Sequence, residues 1–307
     1  MNITLEDTTS AAIGSALVQV REQSGAMALG RVLTLVISCA GTDTETALEA
    51  ANQASREHPS RVVLIESGDE QERPQLDAEI RVGGDAGASE VIVLRPHGPN
   101  AGAMDTLINP LLLPDAPVVT WWPHQPPAQM STDPVGQMAQ RRISDVGETA
   151  DPIVELRRLR QTYAPGDTDL SWARTTLWRG LSAGVLEPKP EVRIHGVRVT
   201  GDTARPSLHL LGGWFAEALQ TPVILEHDPS TTTVTGVHLE RAGSSISMHR
   251  PEGSPVVTIT EEGEPDRQVA MPKRPLEDCL MEDLRHLDPD EVYQKALLEG
   301  LPKVEIR

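Results

Sequence analysis

The residues in this chain that could do chemistry are a few arginines, the aspartates near them, and tryptophans in a chain with only 3% aromatic residues. Arg141-Arg142 set two guanidinium forks side by side, and Arg179 adds a third. Such forks grip phosphate through paired hydrogen bonds, so the three could clamp a sugar phosphate while Asp145 or Asp169 serves as the base. The adjacent pair reads equally as two salt bridges to this acidic chain's own surface. Asp167 and Asp169 have the spacing of a paired-carboxylate site, but they precede a helical run and are more economically read as capping groups. Other chemistries lack their residues. No Gly-x-Gly-x-x-Gly follows the first dense strand and no Gly-Lys-Ser loop occurs, so no nucleotide cofactor is expected. The nine His and two Cys show neither His-x-x-x-His nor Cys-x-x-Cys spacing, so no metal is expected. No nucleophile elbow of the Gly-x-Ser-x-Gly type is expected either. Gly83-Gly-Asp-Ala-Gly87 could cradle an anion on bare amides, but Asp85 opposes this and a turn is the simpler reading.

The segment Gly166–Arg179 holds two of the five Trp. Asp169 is expected to cap a helix that runs to Val185 without a proline. At about 100° per residue, Leu170, Leu177, Leu181 and Val185 share one side with Arg174, which is read as a buried structural charge. Trp172 and Arg179 share the other side. Large stiff rings and planar forks dominate association energies, so these two are candidates for a partner-binding face. Trp121-Trp122 form a second candidate. Alternation sends their rings to opposite sides of a strand, and Pro123, Pro126 and Pro127 follow in an extended, donor-poor loop. With Arg141 and Arg142, the partner-binding set is Trp121, Trp122, Arg141, Arg142, Trp172 and Arg179. Trp214-Phe215 reads as core.

These residues must be positioned by a recognisable series of elements. Ser10–Ser24 reads as a helix with Ile13, Leu17 and Val20 on one side. A strand at Arg31–Cys39, a helix at Thr44–Glu57 and a strand at Arg61–Glu66 make a strand-helix-strand unit, hence a partly parallel sheet. Leu76, Ala78, Ile80 and Val82 alternate with polar residues, as in a strand solvated on one face. Strands at Val91–Leu94 and Val118–Trp122 flank a helix at Ala101–Ile108, and Pro152–Tyr163 is helical. Ala164-Pro-Gly-Asp167 interrupts both neighbouring patterns, which gives an N-terminal α/β domain over 1–165 and a C-terminal α+β domain over 166–307. The latter reads as a strand at Val192–Val199, a helix at Pro206–Leu219, a strand at Val223–Glu226, then short hairpin-spaced strands between Thr233 and Met271. These suggest an antiparallel sheet, closed by helices at Leu276–Leu287 and Pro289–Leu298.

A formal charge of −18 argues against a nucleic-acid partner and against anionic membrane surfaces. The acidic start Met1–Asp7 is unlike a secretory signal, and the strongest apolar run, Val32–Ala40, is about half of a membrane span. With only two distant cysteines, a cytoplasmic location is expected.

Several blocks stand in a definite order: His58-Pro-Ser-Arg61, Leu76-Asp-Ala-Glu79, Pro110–Asp115 running into Pro117–Pro123, Arg141–Asp145, Gly166–Arg179 and Glu282-Asp-Leu-Arg285. In these the chain resembles the glucose-6-phosphate dehydrogenase assembly proteins, the OpcA family of actinobacteria and cyanobacteria, in the shorter form typical of actinobacteria. The resemblance implies a non-catalytic assembly factor and allosteric activator that binds glucose-6-phosphate dehydrogenase and favours its active oligomer. The oxidative pentose phosphate pathway and its NADPH supply would be the context. Cyanobacterial relatives look redox-regulated through cysteines; with only Cys39 and Cys279, redox control is not expected here. The rival readings are the sugar-phosphate enzyme with its arginine clamp, and a purely structural scaffold subunit.

Overall fold

The computed structural model describes residues 2–24, 32–39, 44–66, 73–82, 90–187 and 193–307. Arg31, which opens one expected strand, and the Gly83–Gly87 turn lie outside the described residues. In chain order the elements begin with β1 (Asn2–Leu5), α1 (Ser10–Ser24), β2 (Leu33–Cys39), α2 (Thr44–Ala54), β3 (Ser60–Glu66), β4 (Gln75–Val82), β5 (Glu90–His97), α3 (Met104–Ile108) and β6 (Val118–Trp122). They continue through α4 (Pro134–Gln137), β7 (Arg141–Ser144), α5 (Pro152–Thr162), β8 (Asp167–Asp169), α6 (Leu170–Ala173) and α7 (Thr176–Leu186). The remainder is β9 (Ile194–Gly201), α8 (Pro206–Leu219), β10 (Val223–His227), β11 (Val234–Arg241), β12 (Ser244–His249), β13 (Val256–Glu261) and β14 (Arg267–Ala270), then α9 (Leu276–Arg285), α10 (Glu291–Lys295) and β15 (Val304–Ile306).

The chain forms two compact units that interleave in sequence. One comprises Met1–Asp145, Thr162–Thr168 and Pro275–Pro289, the other Val146–Gln161, Asp169–Arg274 and Asp290–Arg307. No single cut at residue 165 therefore separates them: α5 belongs with the later unit and α9 with the earlier one, where it packs on α2.

The first unit is built on an eight-stranded sheet in the order β1-β4-β5-β3-β2-β6-β7-β8. Its centre, β5-β3-β2-β6-β7, is parallel throughout. Strands β2 and β3 are almost wholly buried because helices cover both faces of a parallel sheet, which is why they read as unbroken apolar runs. On β4, antiparallel to β5, Leu76, Ala78, Ile80 and Val82 point into the core where Ile13, Leu17 and Val20 of α1 also sit. The parallel strands run outward from β2 in both directions, the order of a doubly wound dinucleotide-binding sheet, with the switch point between β2 and β6.

The second unit is a seven-stranded sheet in the order β14-β13-β12-β11-β9-β10-β15. It is antiparallel from β14 to β9, as the hairpin spacing suggests, but β9, β10 and β15 are parallel. The parallel side arises because α8 crosses over from β9 to β10, returning the chain in the same direction. Helix α8 is nearly all apolar and lies against the sheet through Leu208, Leu211, Phe215 and Ala216. Its Gly213 lies against the turn Ala296–Gly300, where an added Cβ would stand 2.6 Å from the Ala296 carbonyl, and a Cβ on Gly300 would run into the Gly213 carbonyl. No helix among the described residues is long and apolar enough to cross a membrane.

Two outcomes follow from this packing. Gly300→Ala, which forces backbone apart, is expected to cost about 1–3 kcal/mol or more, read as a lowered Tm in a thermal melt. The second concerns His209 on α8, whose Nε2 hydrogen-bonds the Thr203 carbonyl at 2.8 Å. Burial holds this imidazole below its usual pKa, the nearby Arg157 charge acting in the same direction. The unfolded chain then takes up a proton that the folded chain refuses, so His209 lowers stability as pH falls below about 6.5. Chemical denaturation between pH 7.5 and pH 5.5 (both about) should show a shallower loss in His209→Gln than in the parent.

Candidate functional site

The adjacent arginines on β7 occupy opposite sides of the strand, as alternation requires, and neither faces solvent: Arg141 is 3% and Arg142 7% exposed. Arg141 meets the Asp283 carboxylate of α9 at 2.5 Å and donates to the Asp288 carbonyl at 2.9 Å. Arg142 meets Asp167 at 2.5 Å and donates to the carbonyls of Ala139 at 3.0 Å and Pro165 at 2.6 Å. The turn it grips needs Gly166, whose φ is +96° and whose added Cβ would lie 2.6 Å from the Gln140 carbonyl. Burial pushes both Asp167 and Asp283 above the usual carboxylate range, with the facing guanidinium acting against it. Two atoms of the Arg141 pair, Arg141 Nε and Asp283 Oδ2, are buried without a hydrogen-bond partner among the described residues. These arginines are consumed by the fold. A phosphate clamp built from them would first have to break two buried ion pairs.

Trp121 and Trp122 close β6, next to the switch point, and both rings are buried, at 0% and 3% exposure. Alternation separates them as expected, but both faces of the sheet are covered, so neither ring reaches the surface. The Trp121 Nε1 has no partner among the described residues.

The expected long helix is two. Asp169 caps α6, its carboxylate accepting from Ser171 N at 2.8 Å and also from Val146 N at 2.9 Å. With both oxygens held by backbone amides, Asp169 is poorly placed to act as a base. The helix breaks after Ala173 because Thr175 draws its own amide and hydroxyl onto the Trp172 carbonyl, at 2.9 and 2.7 Å, where a continuing helix would use the amide four residues on. Trp172, expected on an open polar face, is 2% exposed. Its Nε1 donates to Asp290 at 2.8 Å, Tyr293 packs against it with ring centroids 5.8 Å apart, and the Arg179 guanidinium lies 3.7 Å above its ring. Trp172 and Arg179 do share a side, but that side is inward, because Asp290 and Tyr293 cover it. Arg179 is half-buried and donates to Thr175 and Thr176 hydroxyls at 3.0 and 2.8 Å. Arg174, expected as a buried charge, is half-exposed instead, 4.0 Å from Glu148, a pair worth little in water.

Asp283, Asp290 and Tyr293 could not be paired with Arg141 and Trp172 from sequence, since more than a hundred positions separate them. A Gly-x-Ser-x-Gly stretch does occur, at Gly180–Gly184, contrary to expectation. It lies inside α7 with Ser182 fully buried, not on the strand-to-helix turn that would expose a nucleophile. Among the described residues no cluster of His, Cys, Asp and Glu could hold a metal.

Fold and site thus define a doubly wound α/β unit and a mixed-sheet α+β unit whose unusual side chains serve as internal locks. The chain belongs to the glucose-6-phosphate dehydrogenase assembly protein family. Residues 51–161 match the family model described as the glucose-6-phosphate dehydrogenase subunit N-terminal domain, and residues 165–297 match the C-terminal domain model. No curated protein matches the chain. Among solved structures it is similar to an NAD-binding oxidoreductase from Klebsiella pneumoniae, at 9% identity over 89% of this chain and 96% of that one, with a TM-score of 0.50. A 3-ketoreductase from Actinomadura kijaniata in complex with NADP is similar at 10% identity over 89% and 98% of the two chains, with a TM-score of 0.44. At 9% identity the likeness to the Klebsiella protein speaks to fold alone.

Two substitutions separate a lock from a docking surface. Asp283→Ala leaves a buried guanidinium without its carboxylate and should cost about 3–5 kcal/mol, whereas Arg141→Met with Asp283→Leu should recover much of that loss in denaturant titration. Trp172→Ala should destabilise by about 3–5 kcal/mol, and any loss of partner binding should track the unfolded fraction in melts run beside binding isotherms.

Proposed function

We propose that this protein is a non-catalytic partner of glucose-6-phosphate dehydrogenase, binding it and favouring its assembled, active form. The reading is carried by the match of both family domains across residues 51–297. A partner that binds the active oligomer more tightly than its alternatives shifts the equilibrium by that differential affinity, with no chemistry of its own. The sequence supports this: the order of a dinucleotide-binding sheet is present, but no Gly-x-Gly-x-x-Gly follows β2, the turn whose bare amides would have to approach a pyrophosphate. The arginine-clamp enzyme loses its support, because Arg141 and Arg142 are tied to Asp283 and Asp167, and Arg179 lies on Trp172. The docking residues we propose therefore lie around the locked blocks of each unit by itself: Trp121, Trp122, Arg141 and Arg142 hold the surface of the first from beneath, and Trp172 that of the second, with half-exposed Arg179 at its edge.

Titration of the purified protein into the purified dehydrogenase of the same cell should lower the apparent KM, raise kcat, or both, and should raise the oligomer mass seen by light scattering. The protein alone should form no NADPH from glucose 6-phosphate. Unchanged kinetics and mass at about 10 µM of each protein, where a micromolar Kd would be visible, would refute the reading.

Activation should also be indifferent to mild oxidant, because Cys39 and Cys279 are 2% and 0% exposed and cannot present a reactive thiolate. Native thiol titration should label neither, and Cys39→Ser with Cys279→Ser should activate as the parent does, with and without oxidant.

A further inference from the structure

The arginines that the fold does not use are elsewhere. In a chain with 27 Lys and Arg against 45 Asp and Glu, a guanidinium finds a carboxylate easily, and the β7 arginines and Arg61, which meets Glu90 at 2.9 Å, show the rule. Arg157 and Arg160 on α5 break it. Neither side chain has a hydrogen bond or ion pair among the described residues, although Arg158 between them pairs with Glu155 on the same helix. Both line a cavity of about 200 Å³ in the second unit, together with Ile153, Leu156, His209, Leu301, Pro302, Val304 and Ile306. The wall is therefore two-part: a pair of exposed, solvated cations with no carboxylate of the protein on them, three residues apart on one helix and so on neighbouring positions of its surface, and an aliphatic floor from α5, the turn before β15, and β15 itself. His209 adds no third charge, since it is kept neutral by burial and its Nε2 is bonded to Thr203.

We propose that this cavity binds a small amphiphilic anion, a phosphate monoester or carboxylate with a compact apolar body, whose head lies on Arg157 and Arg160 and whose body lies against Leu156, Leu301 and Val304. The chemistry of the wall selects this class. Two exposed forks with no internal carboxylate can exchange their water for a phosphate or carboxylate, which they grip bidentately with complementary charge, whereas a neutral ligand offers no such gain. The aliphatic floor rewards a carbon body over a free inorganic ion. The volume lies below the roughly 300–1,000 Å³ of sites for drug-sized ligands, so a dinucleotide does not fit. The site shares no residue with the arginine clamp rejected above, and it stands whether or not the dehydrogenase is the partner.

The test uses the full chain and isothermal titration with phenyl phosphate, benzoate, inorganic phosphate and glucose 6-phosphate as separate probes, at two salt concentrations. Phenyl phosphate or benzoate should bind one to one, at least about tenfold tighter than inorganic phosphate, and more weakly at high salt. Arg157→Gln with Arg160→Gln should abolish this while leaving Tm unchanged, since no internal bond is lost. Leu301→Ser, which removes apolar floor without adding charge, should weaken phenyl phosphate and benzoate more than inorganic phosphate. Equal affinity for inorganic phosphate and phenyl phosphate would overturn the amphiphilic assignment. Binding that survives in the double arginine variant, or no binding of any probe at about 10 mM, would overturn the site.

Discussion

Two buried arginines on one short strand carry much of the first unit. Because adjacent residues on β7 point to opposite faces, Arg141 and Arg142 reach in two directions, one to Asp283 on α9 and the other to Asp167 at the start of β8. Asp167 follows Arg142 by 25 positions, whereas Asp283 follows Arg141 by 142. A charge in a dry interior permits one arrangement, since an unpaired guanidinium there costs several kcal/mol. The same device recurs at Arg61, which meets Glu90 on β5 and donates to the Leu111 carbonyl at 2.5 Å. Four of the quoted sequence blocks, those holding Arg61, Arg141 with Arg142, Asp167 and Asp283, thus contribute ends of internal ion pairs, and in each pair the partner lies on a different element.

The second unit uses an aromatic version of that device. Trp172 is held by the Arg179 guanidinium above its ring, by the Tyr293 ring and by the Asp290 carboxylate at its Nε1. Arg179 lies on α7, beyond the break after α6, and its guanidinium stands over the ring. Asp290 also caps α10 through Val292 N and Tyr293 N, both at 2.9 Å, so the residue that anchors the tryptophan also starts the helix carrying the tyrosine. One carboxylate therefore joins two segments more than a hundred residues apart in sequence.

A fold in the order of a dinucleotide-binding sheet does not make an oxidoreductase, because function resides in sites placed on folds. Here the residues that first suggest chemistry are those that shape the body. An assembly role asks for such a body: a rigid surface binds without a large ordering cost, and rigidity comes from locks that admit one geometry. Two arginines on α5 line a cavity without a carboxylate of the protein on them, which is why ligand binding is to be sought there.

The sequence by itself determined the elements whose signals are local. The strand at Val118–Trp122 and the helix at Pro206–Leu219 lie where their patterns place them, and Asp169 stands at a helix start, because apolar period, proline and capping chemistry act over a few residues. So did the mixed character of the first sheet, since a strand-helix-strand run needs a parallel partner. Tertiary structure decided the rest. The strands β7, β8 and β15 are too short for a periodic signal and exist because a neighbour supplies their hydrogen bonds. The direction in which Trp172, Arg141 and Arg142 face was also decided there. A tryptophan beside an arginine reads the same whether it awaits a partner or has one, and the residues that settle it, Asp283, Asp290 and Tyr293, arrive only when the distant chain folds back.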